Sequence, residues 1–131
     1  MGDASRTLGE LQAQIMTVLW HLEAGTVEQV RRALPTRYRG AYTTVQTVLN
    51  RLAERGFLTR TRVGQAFVYR TKITEAQYLS CTVEDTLAAA SPDARQAVLA
   101  QLVSGLSDSD RADLLRLSGE VDAARNAKRT R

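Results

Sequence analysis

AYTTVQTVLNRLAERGFLTRTRVGQAFVYR, residues 41 to 70, changes its period once, and that change decides the fold. In its first half Val45, Val48, Leu49 and Leu52 fall at i, i+3, i+4 and i+7, the buried face of a 3.6-residue helix. The opposite face carries Thr43, Thr44, Gln46, Thr47, Asn50, Arg51, Glu54 and Arg55. Thr43 or Thr44 is expected to cap the first turn, and Gly56 to supply the left-handed residue that ends the helix. Phe57 to Val63 then alternates with a period of two, Gly64-Gln65 suits a type II′ turn with Gly first, and Ala66 to Arg70 alternates again. The second half is a β-hairpin.

Hydroxyl, carboxamide and guanidinium groups are the side chains that hydrogen-bond base edges and phosphates in a DNA groove. Residues 42–56 therefore read as a recognition helix, with Thr43, Thr44, Gln46, Thr47 and Asn50 on base edges and Tyr42, Arg51 and Arg55 on the backbone. The hairpin, residues 57–71, reads as a wing that sets Arg60, Arg62 and Arg70, with Gln65 at its tip, beside the same duplex. The plain alternative is a helix and hairpin whose charges are only solvated.

Charge is distributed in favour of the first reading. The 131 residues carry a net charge of +4, yet between Arg31 and Lys72 ten Lys and Arg residues face one carboxylate, Glu54. Residues 73–131 are slightly acidic, apart from Lys128, Arg129 and Arg131 at the end. A basic field concentrated on one module suits a polyanion, although an acidic protein or membrane surface would also answer to it.

Before the decisive stretch, Leu8, Leu11, Ile15, Val18, Leu19 and Leu22 form the inner stripe of a first helix, with Trp20 beside it and expected against the hairpin. Met1 to Thr7 shows no period and reads as an arm in which Arg6 could meet a phosphate. Thr26 is a good N-cap for a short helix with Val27, Val30 and Leu34 inward, and Pro35 ends it. Arg37 and Arg39 then flank Tyr38 in a loop that is either a phosphate clamp or simply a solvated basic turn. Helix, short helix, loop, helix, hairpin is the order of a winged helix-turn-helix. Leu11, Ile15, Leu19, Val30, Leu34, Val45, Leu49, Leu52 and Phe67 are expected to give residues 1–72 a core of their own.

After Lys72 the pattern is helical throughout. Thr74-x-x-Gln77 is a capping box, Ser91-Pro92 an N-cap followed by Pro, and Ser107-x-x-Asp110 a third start. The stripes carry Leu79, Val83 and Leu87, then Val98, Leu102, Val103 and Leu106, then Leu114, Leu115, Leu117 and Val121. Three thin stripes short of aromatics make a poor core alone and are expected to meet the same stripes of a second copy. The expected architecture is mainly α with a small β-hairpin wing, a DNA-binding domain over residues 1–72 and a helical dimerisation region over 73–131.

The run Ala41-Tyr42-Thr43-Thr44-Val45, with Leu49, Arg51-Leu52, Gly56, Arg60, Gly64 and Val68-Tyr69, resembles the winged-helix domain of the penicillinase repressor family, also called BlaI/MecI/CopY. The likeness extends back through Leu11, Ile15, Met16, Val18, Leu19 and Trp20 and is strong over residues 8–72. It implies a dimeric transcriptional repressor on a palindromic operator, released by a signal, of beta-lactam-resistance or related genes. In the beta-lactam-responsive members it further implies a membrane sensor protease and a cut in the dimerisation helices. The bond cut there is Asn-Phe, and the matching place here is Gln101-Leu102, a departure that weakens the parallel. Copper-responsive members carry clustered cysteines in the tail, and this tail has none.

No catalytic constellation is present. One Cys and one His leave neither a disulfide nor a metal set, so no enzyme activity, cofactor or metal is expected. Cys81 reads as a small buried hydrophobe, and His21 has no carboxylate, His or Cys at ligand spacing. The chain has no apolar run long enough to span a membrane and no signal-peptide core, so a cytoplasmic location is expected. The competing functional class is a protein-interaction module on a winged-helix platform, which would expose apolar anchors on the helix from 42 to 56.

Overall fold

A computed structural model describes residues 4–129, with side chains from residue 9 onward. Met1–Asp3 and the side chains of Arg6 and Leu8, both assigned roles above, lie outside the described residues. The element order is α1 (Ala4–Leu22), β1 (Ala24–Gly25), α2 (Val27–Ala33), a 3-10 turn (Thr36–Tyr38), α3 (Tyr42–Glu54), β2 (Leu58–Val63), β3 (Ala66–Thr71), α4 (Glu75–Ala89), α5 (Pro92–Ser104) and α6 (Asp108–Arg129). The chain is mostly helical, and its strands form one antiparallel sheet in the order β1-β3-β2. It divides into two compact units, Met1–Val83 and Glu84–Arg131.

Local chemistry sets the ends of α2 and α3. Thr26 and Gln29 form a reciprocal capping box at the start of α2, each side chain accepting from the other's backbone N–H. At the end of α3, Gly56 at φ +85 donates to the Ala53 carbonyl and Phe57 donates to the Leu52 carbonyl. This pair of bonds is a Schellman motif, and the left-handed residue it needs is costly for anything with a Cβ. It delivers Phe57 straight into the core, where Phe57, Leu58 and Leu52 are all buried. Gly64, at φ +64, is the first residue of the two-residue turn closed by the Val63–Ala66 pair. Gln65 keeps a negative φ, which is the II′ pattern.

The core of the first unit gathers Leu11, Ile15, Met16, Val18 and Leu19 of α1 with Val27, Val30 and Leu34, then Val45, Val48, Leu49 and Leu52 of α3, Phe57 just before the sheet, and Leu58 and Tyr69 within it. Several expectations need correction. Leu22 is exposed, because the chain leaves the helix at Glu23 and turns away into β1. Phe67 is 38% exposed, its ring serving as a platform for Arg60. The short strand β1, which no period in the sequence announces, pairs Ala24 with Arg70 and Gly25 with Tyr69.

The largest correction concerns the end of the winged helix. Thr74 and Gln77 form the capping box that starts α4, as their spacing predicts. One turn in, Tyr78 is 5% exposed and belongs to the core of the first unit. Its ring meets Trp20 and Phe57 edge-on, with centroids 5.7 Å and 5.5 Å away, and its hydroxyl accepts from Gln12 Nε2 at 3.1 Å. Trp20 Nε1 donates to the Ile73 carbonyl at 3.1 Å, which ties α1 to the residues that follow the hairpin. The first compact unit therefore runs past the expected boundary at Lys72.

In the second unit the helix starts follow the caps read from sequence. Ser91 Oγ accepts from Ala94 N–H ahead of Pro92, and Ser107 Oγ accepts from Asp110 N–H. None of its described residues is buried. Leu102 is 53% exposed, and Val98, Leu99, Val103, Leu114, Leu115, Leu117 and Val121 also lie open.

Candidate nucleic-acid interface

Helix α3 presents a polar outer face over the buried row of Val45, Val48, Leu49 and Leu52. Tyr42, Thr43, Thr44, Thr47, Arg51, Glu54 and Arg55 are exposed, while Gln46 and Asn50 are half-buried. Thr43 and Thr44 do not cap the helix. The N-cap is Ala41, one residue before Tyr42 enters the helix, and no side chain caps it. A first turn without a side-chain acceptor or an acidic residue leaves the positive end of the helix dipole open to a phosphate oxygen. Thr47 Oγ1 donates to the Thr43 carbonyl at 2.8 Å, which fixes its rotamer and leaves its lone pairs and methyl outward.

The hairpin register decides which wing residues share a side. Residues directly opposite on antiparallel strands point to the same face. Arg60 pairs with Tyr69 and Arg62 with Phe67, so both arginines lie on the face that carries the buried Tyr69. Arg70 pairs with Thr59 and lies on the other face. The expected trio is thus two arginines on one side of the sheet and one on the other. Gln65 is exposed at the tip, where Arg62 Nε donates to the Gly64 carbonyl at 3.3 Å.

Wing and helix meet at Asn50. Its Oδ1 accepts from the Tyr69 hydroxyl at 2.6 Å and from the Arg60 guanidinium at 3.0 Å. The Arg60 guanidinium also lies 4.4 Å over the Phe67 ring. A cleft of about 240 Å3 beside this contact is lined by Asn50, Ala53, Glu54, Leu58 and Arg60. Burial pushes the Tyr69 phenol above its ordinary value, against the opposing pull of the hydrogen bond and charge of Arg60. Sequence reasoning missed this junction, although once Gly64-Gln65 is taken as the turn, counting back pairs Arg60 with Tyr69.

The loop before α3 is braced more than it is open. Arg39 donates to the Arg32 and Leu34 carbonyls at 2.9 Å and 3.0 Å, satisfying the C-terminal end of α2. Arg31 Nε donates to the Gly40 carbonyl at 2.9 Å. Arg37 lies 4.8 Å over the Tyr38 ring and 3.8 Å from the Glu10 carboxylate, an exposed pair of small energetic weight. Of the two clamp arginines, Arg39 is thus employed in holding the loop, while Arg37 keeps most of its guanidinium in solvent.

Residues assigned to dimerisation fall in two places. Leu79 and Val83 are exposed on α4, with Leu87 half-buried. Within the second unit, α5 and α6 form an apolar hollow of about 460 Å3 lined by Leu99, Leu102, Val103, Leu106, Leu114 and Leu117, with Asp110 and Asp113. Gln101 and Leu102 lie inside α5. Among the described residues no group of three or more His, Cys, Asp or Glu could hold a metal ion, and Cys81 packs half-buried against the core. No helix among them is long and apolar enough to cross a membrane.

Residues 8–120 match the family described as penicillinase repressor. The transcriptional regulator BlaI of Mycobacterium tuberculosis is 38% identical over 111 residues, which span 83% of this chain and 80% of that protein. Among solved structures, the DNA-binding domain of the repressor BlaI is 29% identical, with a TM-score of 0.47 over 53% of this chain and 84% of that one. The CopR repressor is 30% identical, with a TM-score of 0.42 over 47% of this chain and 88% of the other.

Proposed function

Because this chain belongs to the penicillinase repressor family, we propose that it works as a dimeric transcriptional repressor whose α3 lies in the major groove and whose wing grips the backbone. That it is a DNA-binding transcriptional regulator, not an enzyme, follows from the family. The observation that carries the proposed geometry is the outer face of α3: exposed Thr43, Thr44, Thr47 and Arg51, flanked by Arg60 and Arg62. Thr43, Thr44, Thr47 and Gln46 are suited to base edges, while Tyr42, Arg51, Arg55, Arg60, Arg62, Arg37 and Gln65 serve the backbone. Two copies joined through the open leucines of α5 and α6 would put two such helices on one two-fold axis, matching a palindromic operator.

The regulated genes in this reading are those of beta-lactam resistance or related functions, the protein acts in the cytoplasm, and a membrane sensor protease relieves repression. A cut at Gln101-Leu102 requires α5 to open locally first, since both residues are helical. The DNA reading is tested by fluorescence anisotropy on a duplex enriched from a randomised pool by this protein. Affinity should fall with salt along a log-log slope of several units, about 0.9 for each phosphate neutralised. A slope near zero would refute it.

A further inference from the structure

We propose that Asn50 is the joint between recognition helix and wing, a positioning residue that fixes the Arg60 guanidinium for a DNA phosphate instead of reading a base. This assignment rests on the DNA-binding reading above. Two observations and one rule of base readout converge on it. A guanidinium has donors only, so the atom of the Asn50 carboxamide that faces Arg60 is the oxygen. The same oxygen takes the Tyr69 hydroxyl at 2.6 Å, so both of its lone pairs are engaged inside the protein. Asparagine reads adenine by accepting from N6 through that oxygen while donating to N7. With the oxygen occupied twice, that bidentate contact is closed while the joint stands.

What the joint achieves is the placement of Arg60. The side chain would otherwise be a flexible stem on an exposed strand, losing much rotamer freedom on meeting a phosphate. Here the Phe67 ring supports one face of the guanidinium at 4.4 Å and Asn50 holds one of its N–H groups. The remaining donors are oriented before DNA arrives, and their position is referred to α3 through Asn50. Tyr69, 1% exposed and opposite Arg60 in the hairpin register, anchors the arrangement to the core. The distance between groove contact and backbone contact is thereby set by one carboxamide.

The test uses the full chain and its Asn50→Ala, Arg60→Ala, Tyr69→Phe and Arg60→Ala/Tyr69→Phe variants. Anisotropy is read on the enriched duplex and on a shuffled duplex of equal composition, over a series of potassium chloride concentrations. Asn50→Ala is expected to lose affinity by the same factor on both duplexes and to flatten the salt slope by about 0.9, as Arg60→Ala does. Tyr69→Phe should weaken both duplexes in the same way, and adding it to Arg60→Ala should cost nothing further. Loss on the enriched duplex alone with an unchanged slope, or full additivity of Arg60→Ala and Tyr69→Phe, would overturn the assignment. Asn50→Ala strands the Tyr69 hydroxyl, so Asn50→Ala/Tyr69→Phe, which removes that orphan, gives the same reading if the single variant folds poorly. A wild type with a flat salt response on both duplexes has a different signature, and would sink the DNA reading and this assignment with it.

Discussion

Tyr78→Ala in the full chain should destabilise the first unit by about 3–5 kcal/mol, the usual cost of truncating a buried aromatic residue to Ala. The size follows from the site: Tyr78 is 5% exposed, its ring meets Trp20 and Phe57 edge-on, and its hydroxyl holds Gln12. Tyr78→Phe should cost only about 1 kcal/mol, since it removes one hydrogen bond and keeps the packing. Set against the roughly 5–15 kcal/mol that holds a typical domain together, the larger figure decides whether the winged helix survives without α4. Urea unfolding at fixed protein concentration, followed by the fluorescence of Trp20, the single tryptophan, reports on this contact. A fragment ending at Lys72 lacks both Tyr78 and the Ile73 carbonyl that accepts from Trp20, and it should be correspondingly weaker than one ending at Ala90. If Tyr78→Ala shifts stability by less than about 1 kcal/mol, the first turn of α4 is not part of the core and the winged helix does not depend on it.

Other tests address separate features. Glu23 holds φ 71, a left-handed conformation that costs a side chain about 1 kcal/mol or more, so Glu23→Gly should raise the urea midpoint; a lowered midpoint would show that its side chain matters more than its backbone. Burial raises the Tyr69 phenol above 10.0, so the unfolded chain loses that proton first. The stability tied to the neutral phenol is therefore intact below about pH 10 and lost as pH rises through the higher folded value. Wild type should consequently lose more stability than Tyr69→Phe between pH 8.5 and 10.5, and equal losses would count against it. Leu102→Asp should shift sedimentation from dimer to monomer, because a carboxylate left unpaired in an apolar seam costs several kcal/mol; an unchanged dimer would move the interface elsewhere.

What the sequence made legible was local. The Thr26 N-cap, the Thr74 capping box, Ser91-Pro92, Gly56 after the last apolar turn and Gly64 in the hairpin each act through neighbours a few residues away, and the structure follows them. Contacts across long separations were less accessible. Tyr78 looks like one aromatic on an otherwise aliphatic helix, and its place in the core depends on Trp20 and Phe57 from distant elements. Arg39 reads as a DNA contact by charge alone, whereas its work at the end of α2 depends on the loop geometry. Asn50 illustrates the same limit in the interface: helical spacing puts it on the outer face, but the hairpin register gives its oxygen two partners.

The strand order β1-β3-β2 carries one more consequence. Among the described residues β2 has β3 on one side and no further strand on the other, so the exposed residues 59–63 form an unpaired sheet margin. Margins of this kind template the addition of foreign strands and seed aggregates unless something discourages pairing. In LTRTRV the discouragement is electrostatic, since a second copy approaching edge to edge would bring Arg60 and Arg62 against their own kind. The opposite margin, β1, is protected by being only 2 residues long. Replacing both wing arginines would therefore remove a gatekeeper as well as two cations, and a chain that had lost its operator would still have reason to keep them.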